Sequence, residues 1–142
     1  MLDLGWACER AVQFGPDDTL SGVLTVPTRR AARAPVILVP NTGASPRWGN
    51  ARGIVTLARW LAESGIASMR IDVSGTGDAA LKTGERGQPY SRQGDQDVIA
   101  GVEFLAARFD RPVIVLGMCS GAYHAFQAAL RDRRIRDRKS VV

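Results

Sequence analysis

Residues 112–121 read Pro112-Val113-Ile114-Val115-Leu116-Gly117-Met118-Cys119-Ser120-Gly121, an apolar run of strand length ending in Gly-x-Cys-x-Gly. The spacing is that of a nucleophile elbow, with cysteine where serine is more usual. A nucleophile held on a sharp strand-to-helix turn takes a strained backbone conformation. The residues two before and two after it, Gly117 and Gly121, must therefore be nearly free of side chain. The helix expected next, from Ser120 to about Arg131, aims its first N–H groups at the same point and favours negative charge there.

The chain before the elbow alternates strands and helices. Residues 8–14 and 19–26 read as a β-hairpin around the turn cluster Gly15-Pro16-Asp17-Asp18. Val36-Ile37-Leu38-Val39 is a continuous apolar run, the pattern of a strand buried on both faces. A helix is expected at about 51–64, with Ile54, Leu57, Ala58 and Leu61 on one face and Gly65 as its stop. A strand at 66–71 follows, then a long glycine-rich loop from Asp72 to about Gln93. A helix from about Asp95 to Arg108 carries Val98, Val102, Leu105 and Phe109 on one stripe, and the strand Pro112–Leu116 completes the series. The order β-β-β-α-β-α-β-α predicts parallel α/β layers led by an antiparallel hairpin.

Composition narrows the class. At 142 residues, 45% apolar and 23% charged, the chain suits one globular domain. No apolar run approaches the about 18 residues of a membrane span. The start, Met1-Leu2-Asp3-Leu4-Gly5-Trp6, lacks the basic-then-apolar pattern of a secretory signal. Cys8 and Cys119 stand far apart and make no disulfide framework, so a reducing, cytoplasmic setting is expected. The net charge of +5 gathers in Arg131, Arg133, Arg134, Arg136, Arg138 and Lys139, with no interleaved aromatics. A solvated helix end is expected there, and no nucleic-acid partner.

Three segments together resemble the α/β-hydrolase family over about residues 8–136, most closely its serine-aminopeptidase-like branch with the exosortase-associated hydrolases. Val36–Gly43, continued by Arg47-Trp48-Gly49, resembles the third strand and oxyanion loop. Arg70-Ile71-Asp72-Val73-Ser74-Gly75-Thr76-Gly77-Asp78 resembles the exit from the fourth strand, and Gly117–Gly121 with Ala122-Tyr123-His124 the elbow. The resemblance implies acyl transfer to water through a covalent intermediate, with a small-molecule acyl substrate, no cofactor and no metal. Cys119 would attack a carbonyl. Backbone N–H groups of Ser120 and of Thr42, or its neighbour Asn41, would stabilise the oxyanion. A thiolate is intrinsically nucleophilic, and a helix N-terminus favours it. Hydrolases similar to dienelactone hydrolase also use cysteine.

Other residues compete for roles. Ser120 sits one position off the centre of the glycine pair, which suits a helix cap better than a nucleophile. His124, the single histidine, lies five residues beyond Cys119 on the same helix and is expected to pack rather than act as base. Asp72 and Asp78 precede the nucleophile, the wrong side for a triad acid, and are expected to fix the Gly75–Gly77 loop. Asp95 and Asp97 are expected to complement a helix dipole. Gly75-Thr76-Gly77-Asp78-Ala79-Ala80 fits the dinucleotide pattern formally, but it follows an inner strand with no immediate helix. A Rossmann-type oxidoreductase and a non-catalytic binding protein of the same fold are the alternatives.

The last six residues, Asp137-Arg138-Lys139-Ser140-Val141-Val142, resemble a reading frame of a sequencing-adapter oligonucleotide that meets a stop codon. The expectation is a truncated α/β-hydrolase fold with helices on both faces over residues 1–136 and a non-native tail over 137–142. The sheet would be incomplete after the elbow, leaving Val113–Leu116 as an open edge. The triad acid and base would be missing and the fragment inactive.

Overall fold

The computed structural model describes residues 1–79, 90–137 and 140–141. Residues 80–89 of the expected glycine-rich loop, with Gly84, Gly87 and Pro89, lie outside the described residues, as do Arg138, Lys139 and Val142 of the expected tail. Leu2–Asp3 (β1) pairs with Ala7–Phe14 (β2), which pairs antiparallel with Leu20–Pro27 (β3) from Ala7↔Pro27 to Phe14↔Leu20. Between β2 and β3, Gly15, Asp17 and Asp18 all adopt positive φ, a conformation that Gly and Asp accept more readily than most residues.

After the hairpin come Val36–Pro40 (β4), Gly53–Glu63 (α1), Ser68–Ile71 (β5), Arg92–Ala106 (α2) and Val113–Val115 (β6). Gly117–Met118 (β7), Ser120–Arg131 (α3), Ile135–Asp137 (β8) and Ser140–Val141 (β9) complete the described elements. One sheet runs β1-β2-β3-β5-β4-β6-β8, antiparallel up to β5 and parallel from β5 to β8. β7 and β9 form a separate parallel pair. The expected α/β architecture with its leading hairpin is present.

Alternation in β4 sorts the two layers. Val36 and Leu38 join a core with Val98, Val102 and Leu105 of α2 and Ala125, Ala128 and Ala129 of α3. Ile37 and Val39 face the other way, against Ile54 of α1. Burial on both sides is why this strand reads as an unbroken apolar run. α1 is turned slightly from its expected face: Val55 and Ala62 are buried beside Ile54 and Ala58, while Leu57 and Leu61 are half-buried. It ends as predicted at Gly65, φ 78. Gly65 N–H donates to Ala62 O and Ile66 N–H to Leu61 O, the paired bonds of a Schellman cap.

Two expectations are corrected. β6 is not an open edge, because β8 pairs with it through Val113↔Ile135 and Ile114↔Asp137. Of the basic C-terminal stretch, Arg131, Arg133 and Arg134 are exposed as expected, but only Arg131 belongs to the helix. α3 stops at Arg131, Asp132 is its C-cap, and Arg134 pairs with Asp132 and Glu103. A lone apolar Ile135 among arginines carries too little pattern to announce a strand.

Candidate active site

The turn from β6 into α3 has the strain that the sequence predicts. Cys119 takes φ 55 and ψ −123, a region that non-glycine residues enter at a cost of about 1–3 kcal/mol. A side chain on Gly117 would overlap the carbonyl of Gly121 and come within 2.5 Å of Ala122 N. A side chain on Gly121 would stand 2.9 Å from Asn41 O and 3.2 Å from Pro40 O. The two glycines are thus steric requirements of the turn. Cys119 is exposed, while Ser120 and Gly121 behind it are buried. Cys119 also occupies the N-cap position of α3, at the end of the helix that favours negative charge, and its carbonyl accepts from Ala122 and Tyr123 N–H.

The loop after β4 is fastened to this turn. Gly43 N–H donates to Ser120 Oγ at 2.6 Å, and Thr42 Oγ1 to Met118 O at 3.3 Å. Ser120 therefore does not cap the helix as expected: it is the first helical residue, and its hydroxyl accepts from the facing loop. Asn41 and Thr42 separate in function. Asn41 N–H is spent on Ile71 O (3.0 Å) in the sheet, so it is not free to meet an oxyanion. Its buried side chain organises the loop instead, donating to Gly43 O and Ser45 O and accepting from Val73 N–H at 2.9 Å. Thr42 pairs with Ser45 in an isolated antiparallel bridge, in which Ser45 N–H donates to Thr42 O at 2.9 Å.

The Tyr90 hydroxyl lies 3.7 Å from Cys119 Sγ, and the Tyr90 ring stacks edge-on against Tyr123 at 5.3 Å. That hydrogen bond, and then the charge of the sulfur, push the Tyr90 phenol above its usual value. His124 is elsewhere, as expected. Fully buried, it places Nδ1 2.8 Å from Asp95 Oδ1, and its ring packs where a side chain on Gly94 would be. Asp95 also takes Arg131 Nη1 at 2.5 Å, bolting α2 to α3.

Asp95 lies in the first turn of α2, as expected of a helix-start carboxylate, while Asp97 lies beyond that turn and its expected dipole role is corrected. α2 begins earlier, capped by Ser91 Oγ accepting from Gly94 N–H, and both carboxylates are buried. Asp97 accepts from Ser74 N–H and Gln93 Nε2. Asp72 and Asp78 do brace the Gly75–Gly77 loop, since Asp78 N–H donates to Asp72 and a side chain on Gly77 would overlap that carboxylate. Sequence reasoning missed their partner Arg47, which donates to Asp72 through its amide (2.6 Å) and Nη1 and to Asp78 through Nη2 (2.6 Å). Its place in the oxyanion-loop segment was the available signal. Among the described residues no group of three or more His, Cys, Asp or Glu could hold a metal ion, and no helix is long and apolar enough to cross a membrane.

No protein-family model matches the chain. An uncharacterized protein of Escherichia coli K12, YcjY, is 29% identical over an alignment of 128 residues that covers 85% of this chain and 40% of that protein. A cold-adapted esterase from an Arctic intertidal metagenomic library superposes with a TM-score of 0.72 at 23% identity, over 96% of this chain and 60% of that one. The α/β hydrolase GrgF from Penicillium sp. sh18 gives 0.74 at 22% identity, over 90% and 43%. The chain thus has the α/β-hydrolase fold and spans between two fifths and three fifths of the length of these proteins.

Proposed function

We propose that this chain carries the nucleophile and oxyanion loop of a hydrolase acting on an ester, thioester or small amide. Cys119 is the nucleophile in this reading. Its thiolate attacks the carbonyl carbon, and the carbonyl π electrons move to oxygen. The N–H groups of Ser120 and Thr42 hold that oxyanion, and its collapse breaks the bond to the leaving group, which takes up from solvent the proton the thiol released, and leaves a thioester on Cys119. Water then releases the acid and restores the thiol. The observation that carries the reading is the exposed Cys119 at φ 55 and ψ −123 between two sterically required glycines. Hydrolysis of the thioester needs a base, and His124 is not offered for it, because Asp95 and its burial hold the ring away. Acylation without sustained turnover is therefore the expected behaviour.

The test is to incubate the chain with p-nitrophenyl acetate and locate the acyl group by peptide mass spectrometry. One acetyl group on Cys119, absent in Cys119→Ala and retained in His124→Ala, is the expected result. Acetylation of Cys8 at the same rate, or no loss of Cys119 labelling when the chain is unfolded in urea, would refute it.

A further inference from the structure

Away from the elbow, the Arg47 loop and the first turn of α1 border a cavity of about 380 Å³, lined by Val23, Arg47, Trp48, Arg52, Val55 and Arg70. Half of that lining is arginine. The Arg70 side chain is only 7% exposed. Its Nη1 donates to Glu9 and Thr25 at 3.2 Å each, while its Nε and Nη2 have no acceptor among the described residues. Arg52 is exposed at the N-cap of α1 and has no carboxylate partner among the described residues. Arg47 is fixed by Asp72 and Asp78, and Arg59 reaches Glu9 from α1. Three guanidinium groups, Arg47, Arg59 and Arg70, thus share the carboxylates of Glu9, Asp72 and Asp78, and Arg52 adds a fourth cation with none among the described residues. Burial first, and also the charges of Arg59 and Arg47, push Arg70 below the usual arginine value despite the opposing pull of Glu9.

We propose that this cavity is a binding site for a phosphate-type oxyanion, held by the free guanidinium edge of Arg70 and by Arg52. Guanidinium forks match tetrahedral oxyanions with paired, charge-assisted bonds. The α1 N-terminus behind Arg52 adds field of the same sign. Trp48, 45% exposed with Arg47 near its ring, forms one wall and reports on occupancy. This site is independent of the chemistry proposed for Cys119.

The probe is inorganic phosphate, titrated at low ionic strength by calorimetry and by tryptophan fluorescence. Saturable binding with a dissociation constant on the order of 1 mM is expected, the affinity that a few such bonds leave after the cost of association. Arg52→Gln and Arg70→Lys should each weaken it about tenfold or more, with the fold verified by circular dichroism. Arg70→Lys keeps a cation beside Glu9 and so guards against misfolding. Arg133→Gln, exposed and outside the cavity, should bind as the parent does. Absence of saturation, unchanged affinity in both cavity variants, or equal weakening in Arg133→Gln each overturns the site.

Discussion

Gly117→Ala is the sharpest test of how the elbow is built. The added methyl would overlap the Gly121 carbonyl and lie 2.5 Å from Ala122 N, where a relaxed carbon contact needs about 3.3 Å or more. The obstruction is backbone, so no side-chain rotation relieves it. Nor can the start of α3 step back, because Gly121 already abuts the backbone oxygens of Pro40 and Asn41 on its other side. Overpacking usually costs about 1–3 kcal/mol. With backbone on both sides, about 3 kcal/mol is expected, a large part of the about 5–15 kcal/mol that stabilises a typical domain. In urea, at about 1–3 kcal/mol per molar, this moves the unfolding midpoint down by about 1–3 M with unchanged slope. Gly121→Ala, with its nearest contact at 2.9 Å, should fall between. Gly53→Ala is the control, since its φ is −58 and a side chain there meets nothing within 4 Å. It should leave stability unchanged or raise it by up to about 1 kcal/mol. Equal midpoints for Gly117→Ala and Gly53→Ala would refute the steric account.

Two further outcomes follow from named contacts. Cys119→Gly relieves the positive φ of 55 and should raise stability by about 1 kcal/mol, read as a higher urea midpoint, while removing acylation by p-nitrophenyl acetate; a lower midpoint would mean the turn is not strained. Burial opposes ionisation of Glu9, but Arg59 and Arg70 outweigh it and hold the carboxyl below its usual value. Its folded pKa is thus lower than its unfolded one, so its contribution is present above the ordinary carboxylate range and lost as pH falls through the folded value. Glu9→Ala strands the buried Arg70 and should cost about 3 kcal/mol near neutrality. That difference from the parent should shrink in acid, and one that stays constant with pH would sink the linkage.

The legible parts of this chain are those whose cause is local. Two-sided burial wrote Val36–Val39 as an apolar run, the Schellman cap needed Gly65, and the elbow's sterics needed Gly117 and Gly121. Pairings between distant residues were not legible. Asp95 with His124, Glu9 with Arg70, and Arg47 with Asp72 stand 29, 61 and 25 positions apart, and each residue alone reads as an ordinary helix, strand or loop charge. β8 was hidden for a related reason, since its pairing to Val113 rests on tertiary placement rather than on an alternating pattern of its own.

The division between Asn41 and Thr42 shows how the proposed site is held together. Both precede Gly43 in the loop, and spacing alone offers either as an amide donor. The two amides differ in their pairing, since register carries Asn41 N–H to Ile71 O, one step past the β4–β5 pair Pro40↔Ile71, while Thr42 bridges Ser45. The Asn41 side chain then fixes Gly43 O, Ser45 O and Val73 N–H at once, and Gly43 N–H in turn reaches Ser120 Oγ. β4, the loop after it, the β5 exit loop and the first turn of α3 are therefore one connected hydrogen-bonded unit. A strained Cys119 persists only where its surroundings over-determine it. This unit supplies that constraint, and in the proposed chemistry it also sets the Thr42 and Ser120 amides relative to the thiol.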